Sequence, residues 1–174
     1  CQCFKCDAGS YSSFIGSVDQ SDCQSCGAGQ VSSEGASSCT SCAVGKYATD
    51  DVNDMEGGLI TQVSVGATSC NDCPMGYFTD TTSTLVCQAC ASGEFSEAGV
   101  ASCTDCDTGS YSSGAASNCT SCPVGFYGDT VASSSCTACA AGTYQPLSGS
   151  SSCINCLVGK SQGATGQATC TDCD

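Results

Sequence analysis

Cys119-Thr120-Ser121-Cys122-Pro123-Val124-Gly125-Phe126-Tyr127 is the stretch whose reading decides the fold. Its skeleton, Cys-x-x-Cys-x-x-Gly-x-aromatic, returns along the whole chain. Cys-x-x-Cys pairs begin at Cys3, Cys23, Cys39, Cys70, Cys87, Cys103, Cys119, Cys136, Cys153 and Cys170. These ten pairs contain 20 of the 21 cysteines, and Cys1 is the remainder. Self-similarity at a nearly fixed step marks a repeat architecture. Cross-links, rather than a hydrophobic core, are expected to hold such a chain together.

Aligned on the second cysteine of each pair, the unit has two further fixed positions. Glycine stands three residues later in all nine units, at Gly9, Gly29, Gly45, Gly76, Gly93, Gly109, Gly125, Gly142 and Gly159. An aromatic stands five residues later in seven, at Tyr11, Tyr47, Phe78, Phe95, Tyr111, Tyr127 and Tyr144, with Val31 and Ser161 as exceptions. The glycine reads as a turn position needing positive φ, which only glycine adopts without steric cost. The aromatic then begins a short extended segment. No 3.6-residue periodicity and no cap followed by an apolar run suggests a helix.

The composition excludes an ordinary globular domain. Leu, Ile, Val and Phe number 23 of 174 residues, well under the roughly 20% that a packed core needs. Ser and Thr supply 47 residues and Gly 21. Without its cysteines the chain cannot bury enough apolar surface to offset chain entropy. Cysteine at this density in so small a core reads as a disulfide scaffold formed in an oxidising compartment, outside the cell or at its surface. The net charge of −14 comes with three lysines, no arginine and no histidine. Nucleic-acid binding needs a basic face, which is missing, and an anionic membrane surface would repel the chain. No apolar stretch is long enough to span a bilayer, so no membrane insertion is expected in this segment. No signal peptide is recognisable; opening on Cys1-Gln2-Cys3, the chain reads as a processed product or part of something longer.

Seven of the nine intervals from one second cysteine to the next first cysteine are 13 or 14 residues; the first is 17 and the third 28. The long one is twice 14, as though a cysteine pair were missing near residues 56–59. It carries Asp50, Asp51, Asn53, Asp54 and Glu56, then a strand-like run from Leu59 to Val65. The chain accordingly divides into cysteine-rich repeats over 1–42, a long acidic, hairpin-like unit over 43–69, and further repeats over 70–174. The even loop lengths favour bonding each second cysteine to the next first one: Cys6–Cys23, Cys26–Cys39, Cys42–Cys70, Cys73–Cys87, Cys90–Cys103, Cys106–Cys119, Cys122–Cys136, Cys139–Cys153 and Cys156–Cys170. This leaves Cys1, Cys3 and Cys173 without partners, suggesting that the array continues past both ends or that molecules join there. Interleaved pairing, first with first and second with second, stays open, because spacing alone does not determine connectivity.

At Cys70-Asn-Asp-Cys-Pro74-Met-Gly76-Tyr-Phe78 and at Cys119–Tyr127 the sequence resembles the ephrin-receptor-like cysteine-rich repeats, relatives in pattern of tumour-necrosis-factor-receptor modules. The resemblance covers nearly all of the chain except 43–69. It departs in one respect: proline follows the second cysteine in only two of nine units. It implies an extracellular, elongated, disulfide-laddered array and no particular ligand.

Other chemistries fit less well. Paired Cys-x-x-Cys motifs are zinc-ribbon ligands, but the even spacing along the whole chain and the lack of histidine favour disulfides, so neither metal nor cofactor is expected. Thioredoxin-like chemistry needs one reactive pair at a helix start. Without histidine there is no Ser-His-Asp triad, and the carboxylates are scattered on loops, so no enzyme is expected. The acidic run at 50–56 lacks EF-hand spacing and reads as a solvated loop rather than a calcium site. The periodic aromatics read as local packing rather than a binding stripe. Asn118-Cys119-Thr120 is a candidate N-glycosylation acceptor whose central residue is a cysteine.

The fold class expected is therefore small disulfide-rich repeats: an elongated tandem array of short loops and β-hairpins with little regular structure and almost no helix. The function expected is structural, as a spacer, stalk or filament subunit at a cell surface, with copies of itself or a longer parent chain, and glycans, as partners. The alternative is a receptor or adhesin ectodomain that binds through 43–69. Alkylation of the native protein without reductant should leave at least 18 cysteines unlabelled by intact mass; labelling that appears only after a chelator is added would instead point to a metal-thiolate protein.

Overall fold

The computed structural model describes residues 4–14, 19–49 and 65–173. Each repeat folds as one two-stranded sheet, giving nine among the described residues. The outgoing strand starts at the residue after the turn glycine, as in Ser110–Tyr111 and Thr143–Tyr144. The returning strand is the pair of residues between the next two cysteines, as in Thr120–Ser121 and Ile154–Asn155. The two strands are antiparallel, with Ser110 opposite Ser121 and Tyr111 opposite Thr120. The x-x of each Cys-x-x-Cys is thus a strand, and its flanking cysteines belong to successive repeats. Among the described residues the helical content is one 3-10 turn, Gln20–Asp22, where the Asp19 carboxylate accepts from the Ser21 N–H at 3.2 Å.

A tight turn starts every hairpin. The N–H of the residue after the glycine donates to the carbonyl of the residue after the cysteine, as in Ser110 to Asp107 (3.1 Å) and Phe126 to Pro123 (3.1 Å). The glycine occupies the third turn position, with φ between 74° and 91° across the nine repeats, as a type II turn requires. Its carbonyl then accepts from the N–H of the cysteine that ends the returning strand, as in Cys122 to Gly109 (2.8 Å) and Cys139 to Gly125 (2.9 Å).

By contact density the chain forms two compact units, one of Cys1–Gln88 with Ala98–Ser102, the other of Ala89–Glu97 with Cys103–Asp174. The first unit contains the long repeat. Its strands, Lys46–Thr49 and Ser69–Asp72, are four residues each rather than two. They place Ala48 against Cys42 and Ala67, with Val31, Cys70 and Leu85 packed around them; Tyr47 packs with Cys73, Cys87 and Tyr77. These clusters are small, as the scarcity of large aliphatic residues requires. Of the strand expected from Leu59 to Val65, only Val65 is described, and it lies in a bend. The acidic run at 50–56 lies outside the described residues.

The seven aromatics all sit in outgoing strands. Tyr47 is buried and the other six are half-buried. The three lysines each have a carboxylate partner: Lys46 with Asp72 and Lys160 with Asp172 (2.6 Å), both directly across a hairpin, and Lys5 with Glu34 (4.0 Å). All three pairs are substantially exposed and contribute little to stability.

In the interior repeats the turn glycine is also a packing constraint. A Cβ on Gly9, Gly29, Gly45, Gly93, Gly109 or Gly125 would collide with the backbone carbonyl of a residue two repeats further on, whereas Gly142 and Gly159 have nothing within 4 Å. Gly125→Ala should therefore destabilise far more than Gly159→Ala, which meets only the positive-φ penalty of roughly 1–2 kcal/mol. Thermal midpoints of the two variants check this, and equal losses would contradict it.

Candidate functional site: a backbone-bonded disulfide ladder

Nine disulfides close the nine repeats: Cys6–Cys23, Cys26–Cys39, Cys42–Cys70, Cys73–Cys87, Cys90–Cys103, Cys106–Cys119, Cys122–Cys136, Cys139–Cys153 and Cys156–Cys170. Each ties the start of a hairpin to the start of its returning strand, with Cα atoms 5.5–5.9 Å apart. The second cysteines from Cys6 to Cys139 are buried, at 3% exposure or less, while Cys156 is half-exposed. Cys173 is free and exposed, and Cys1 and Cys3 lie outside the described residues. A disulfide closing a loop of about 15 residues removes roughly 3 kcal/mol of unfolded-chain entropy.

Three backbone hydrogen bonds join a repeat to the next. Between the repeats that begin at Cys106 and Cys122, the Gly109 N–H donates to Gly128 (2.7 Å), the Ala132 N–H donates to Cys106 (2.8 Å), and the Ser112 N–H donates to Ser133 (3.2 Å). The same trio runs from Gly9, Cys6 and Ser12 to Ser32, Gly35 and Ala36 in the first unit, and from Gly142, Cys139 and Gln145 to Gln162, Gly166 and Gln167 in the second. The repeats therefore stack through main-chain groups, and side-chain identity matters little along most of the stack. Short parallel bridges mark other junctions between successive repeats, at Val31–Ala67, Tyr47–Thr84 and Phe95–Ala116.

The donor to each second-cysteine carbonyl from Cys6 to Cys139 is a loop-tip residue with positive φ. Five of these tips are glycines, namely Gly35, Gly66, Gly99, Gly149 and Gly166; the others are Ser83, Ala115 and Ala132, with φ of 59°, 58° and 53°. This second conformational site is missed by alignment on the preceding cysteine, because loop length varies ahead of it. Counted back from the following first cysteine, every tip is four residues away, and that register would have exposed it.

Among the described residues no group of three or more His, Cys, Asp or Glu is placed to hold a metal ion, and no buried side-chain nitrogen or oxygen lacks a hydrogen-bond partner. Asn118 is exposed beside Cys119, and Thr120 of the same triplet is an exposed strand residue. No helix among the described residues is long and apolar enough to cross a membrane.

These features define a small disulfide-rich repeat protein built from tandem hairpins and a ladder of nine disulfides. Within that class, residues 93–135 and 128–173 match the family described as tyrosine-protein kinase ephrin type A/B receptor-like. Residues 93–173 are thus similar to that family, and the same ladder of hairpins and disulfides runs through the described residues before them. No curated protein matches the chain.

Because each second cysteine from Cys6 to Cys139 also accepts a bond from the next loop tip, an interior disulfide supports two repeats. Cys106→Ala with Cys119→Ala should cost about 3 kcal/mol and admit protease to the loops of both repeats. Peptide mapping of limited digests checks this; cleavage confined to residues 107–118 would mean that the repeats are not coupled.

Proposed function

We propose that this chain is a non-enzymatic structural array outside the cell or at its surface, serving as a spacer, stalk or filament subunit. The observation that carries the reading is the covalent path through the ladder. A pull along the chain passes from Cys122 across the disulfide to Cys136, a Cα–Cα step of 5.7 Å, and then through three residues to Cys139. The hairpin loop is bypassed. Oxidised, that repeat can extend to only about 16 Å, whereas the same 17 residues reduced could reach about 60 Å. Such a ladder resists lengthening under load, whereas a pocket-based receptor has no need of it. The extracellular setting accords with the nine disulfides and with the family match. Glycans at exposed Asn118 would add bulk to such an array, and a mass loss on enzymatic removal of N-glycans from secreted protein would establish them.

Single-molecule pulling tests the reading. The oxidised chain should extend roughly three- to fourfold less than the reduced chain. Comparable extension in the two states would remove the tensile role.

The second reading, a ligand-binding or adhesive ectodomain, draws on the long repeat, whose four-residue hairpin differs from the two-residue hairpins elsewhere. Deletion of 50–64 keeps the Cys42–Cys70 link. Loss of cell adhesion in that variant, with stability unchanged, would favour this reading over the structural one.

A further inference from the structure

The triplet Asn118-Cys119-Thr120 joins an acceptor asparagine to a hydroxyl two residues on, and both of those residues are exposed. The residue between them is tied inward. Cys119 is half-buried and bonds Cys106, which is fully buried. The backbone is held on both sides as well. Ahead of the triplet, the Ala115 N–H donates to the Cys90 carbonyl at 2.9 Å, and the Ala116 carbonyl accepts from the Ser96 N–H at 3.2 Å. Within it, Thr120 is a strand residue opposite Tyr111. Just beyond it, the Cys122 N–H donates to the Gly109 carbonyl at 2.8 Å.

Glycan transfer to asparagine joins the carboxamide nitrogen to the anomeric carbon of a lipid-diphosphate-linked oligosaccharide. The bond from that carbon to the diphosphate oxygen breaks, the lipid diphosphate leaves, and the nitrogen gives up one proton. The transferase reads the asparagine amide and the threonine hydroxyl together, so its cleft has to enclose the backbone between them. In the oxidised hairpin that backbone is paired along one edge and its central side chain is bonded to another segment, which leaves an enclosing cleft no room to close. We propose that glycan transfer to Asn118 and closure of the Cys106–Cys119 disulfide compete, with transfer possible only while Cys119 is a free thiol. It rests on Asn118 being a glycan acceptor and specifies what controls its occupancy. Cys119 follows Cys106 by 13 residues, about one to three seconds of synthesis at about 5–20 residues per second, whereas disulfides form over seconds to hours. An interval therefore exists in which a free Cys119 thiol stands beside an unmodified Asn118. A glycan attached then projects from an exposed position and leaves the Cys119 sulfur free to reach Cys106. Secreted protein is accordingly a mixture of glycosylated and bare chains, both fully disulfide-bonded, in a ratio set by the rate of oxidation.

Translation of the chain behind a secretory leader into microsomes, with a thiol reductant or with oxidised glutathione, tests the competition. The glycosylated fraction is read as a mass shift reversed by an N-glycan-cleaving enzyme, and Asn118→Gln, which removes the acceptor, assigns the shift to this residue. Occupancy of the unmodified chain should be at least twofold higher under reductant. Cys106→Ala, which deprives Cys119 of its partner and leaves the triplet intact, should reach the reduced level under both conditions. Equal occupancy of the unmodified chain in the two conditions would overturn the competition while leaving Asn118 an acceptor. A dependence on reductant that persists in Cys106→Ala would overturn it too, because the reagent would then act elsewhere than at this disulfide. No glycan at Asn118 under either condition would overturn both the competition and the acceptor.

Discussion

The rest of the structure depends on one constraint: a glycine three residues after each second cysteine, turned to positive φ and without a Cβ. The turn brings the outgoing strand back within reach of the Cys-x-x-Cys, so the hairpin can close and its disulfide can form. In the interior repeats the bare Cα also lets backbone from two repeats ahead approach closely. Local conformation and long-range packing therefore place the same demand on one residue. Glycine meets both demands at the cost of a larger loss of chain entropy on folding, a cost that the adjacent disulfide offsets by restricting the unfolded chain.

With that constraint met, stability rests on covalent closure and main-chain bonding. Each junction uses N–H and C=O groups that every residue except proline possesses, so Ser, Thr, Ala and Gly can fill the loops without loss of the interface. This accounts for a low-aliphatic chain being ordered. It also accounts for the placement of the buried apolar clusters at the long repeat, where four-residue strands provide enough surface to pack. Elsewhere the half-buried aromatics and the disulfides themselves are the apolar interior. Within each unit a repeat contacts the next and the next but one, so a lesion weakens the repeats beside it more than distant ones.

Several features are legible in the sequence. The turn at Gly109 or Gly125 follows from its spacing to cysteine, and the hairpin follows from the aromatic two residues on. The ladder of tandem closed loops follows from the near-constant interval between pairs. The loop tips were not legible in the same register. Ala115 and Ala132 carry no glycine signal although they take the same positive φ, because the hydrogen bond to the preceding cysteine carbonyl and the crowding of a packed backbone hold them there. The strand made by Thr120–Ser121 was hidden too, since two small polar residues between cysteines have no alternating pattern to read.

The sequence by itself determined the repeat, its period, the turn and the dependence on disulfides, because each of these arises within about twenty residues and is written in cysteine and glycine positions. Only the tertiary structure decided which carbonyl meets which N–H across repeats and which glycines lack room for a Cβ. These depend on how successive hairpins are offset and stacked, and main-chain hydrogen bonds between repeats leave almost no side-chain signature from which that stacking could be read.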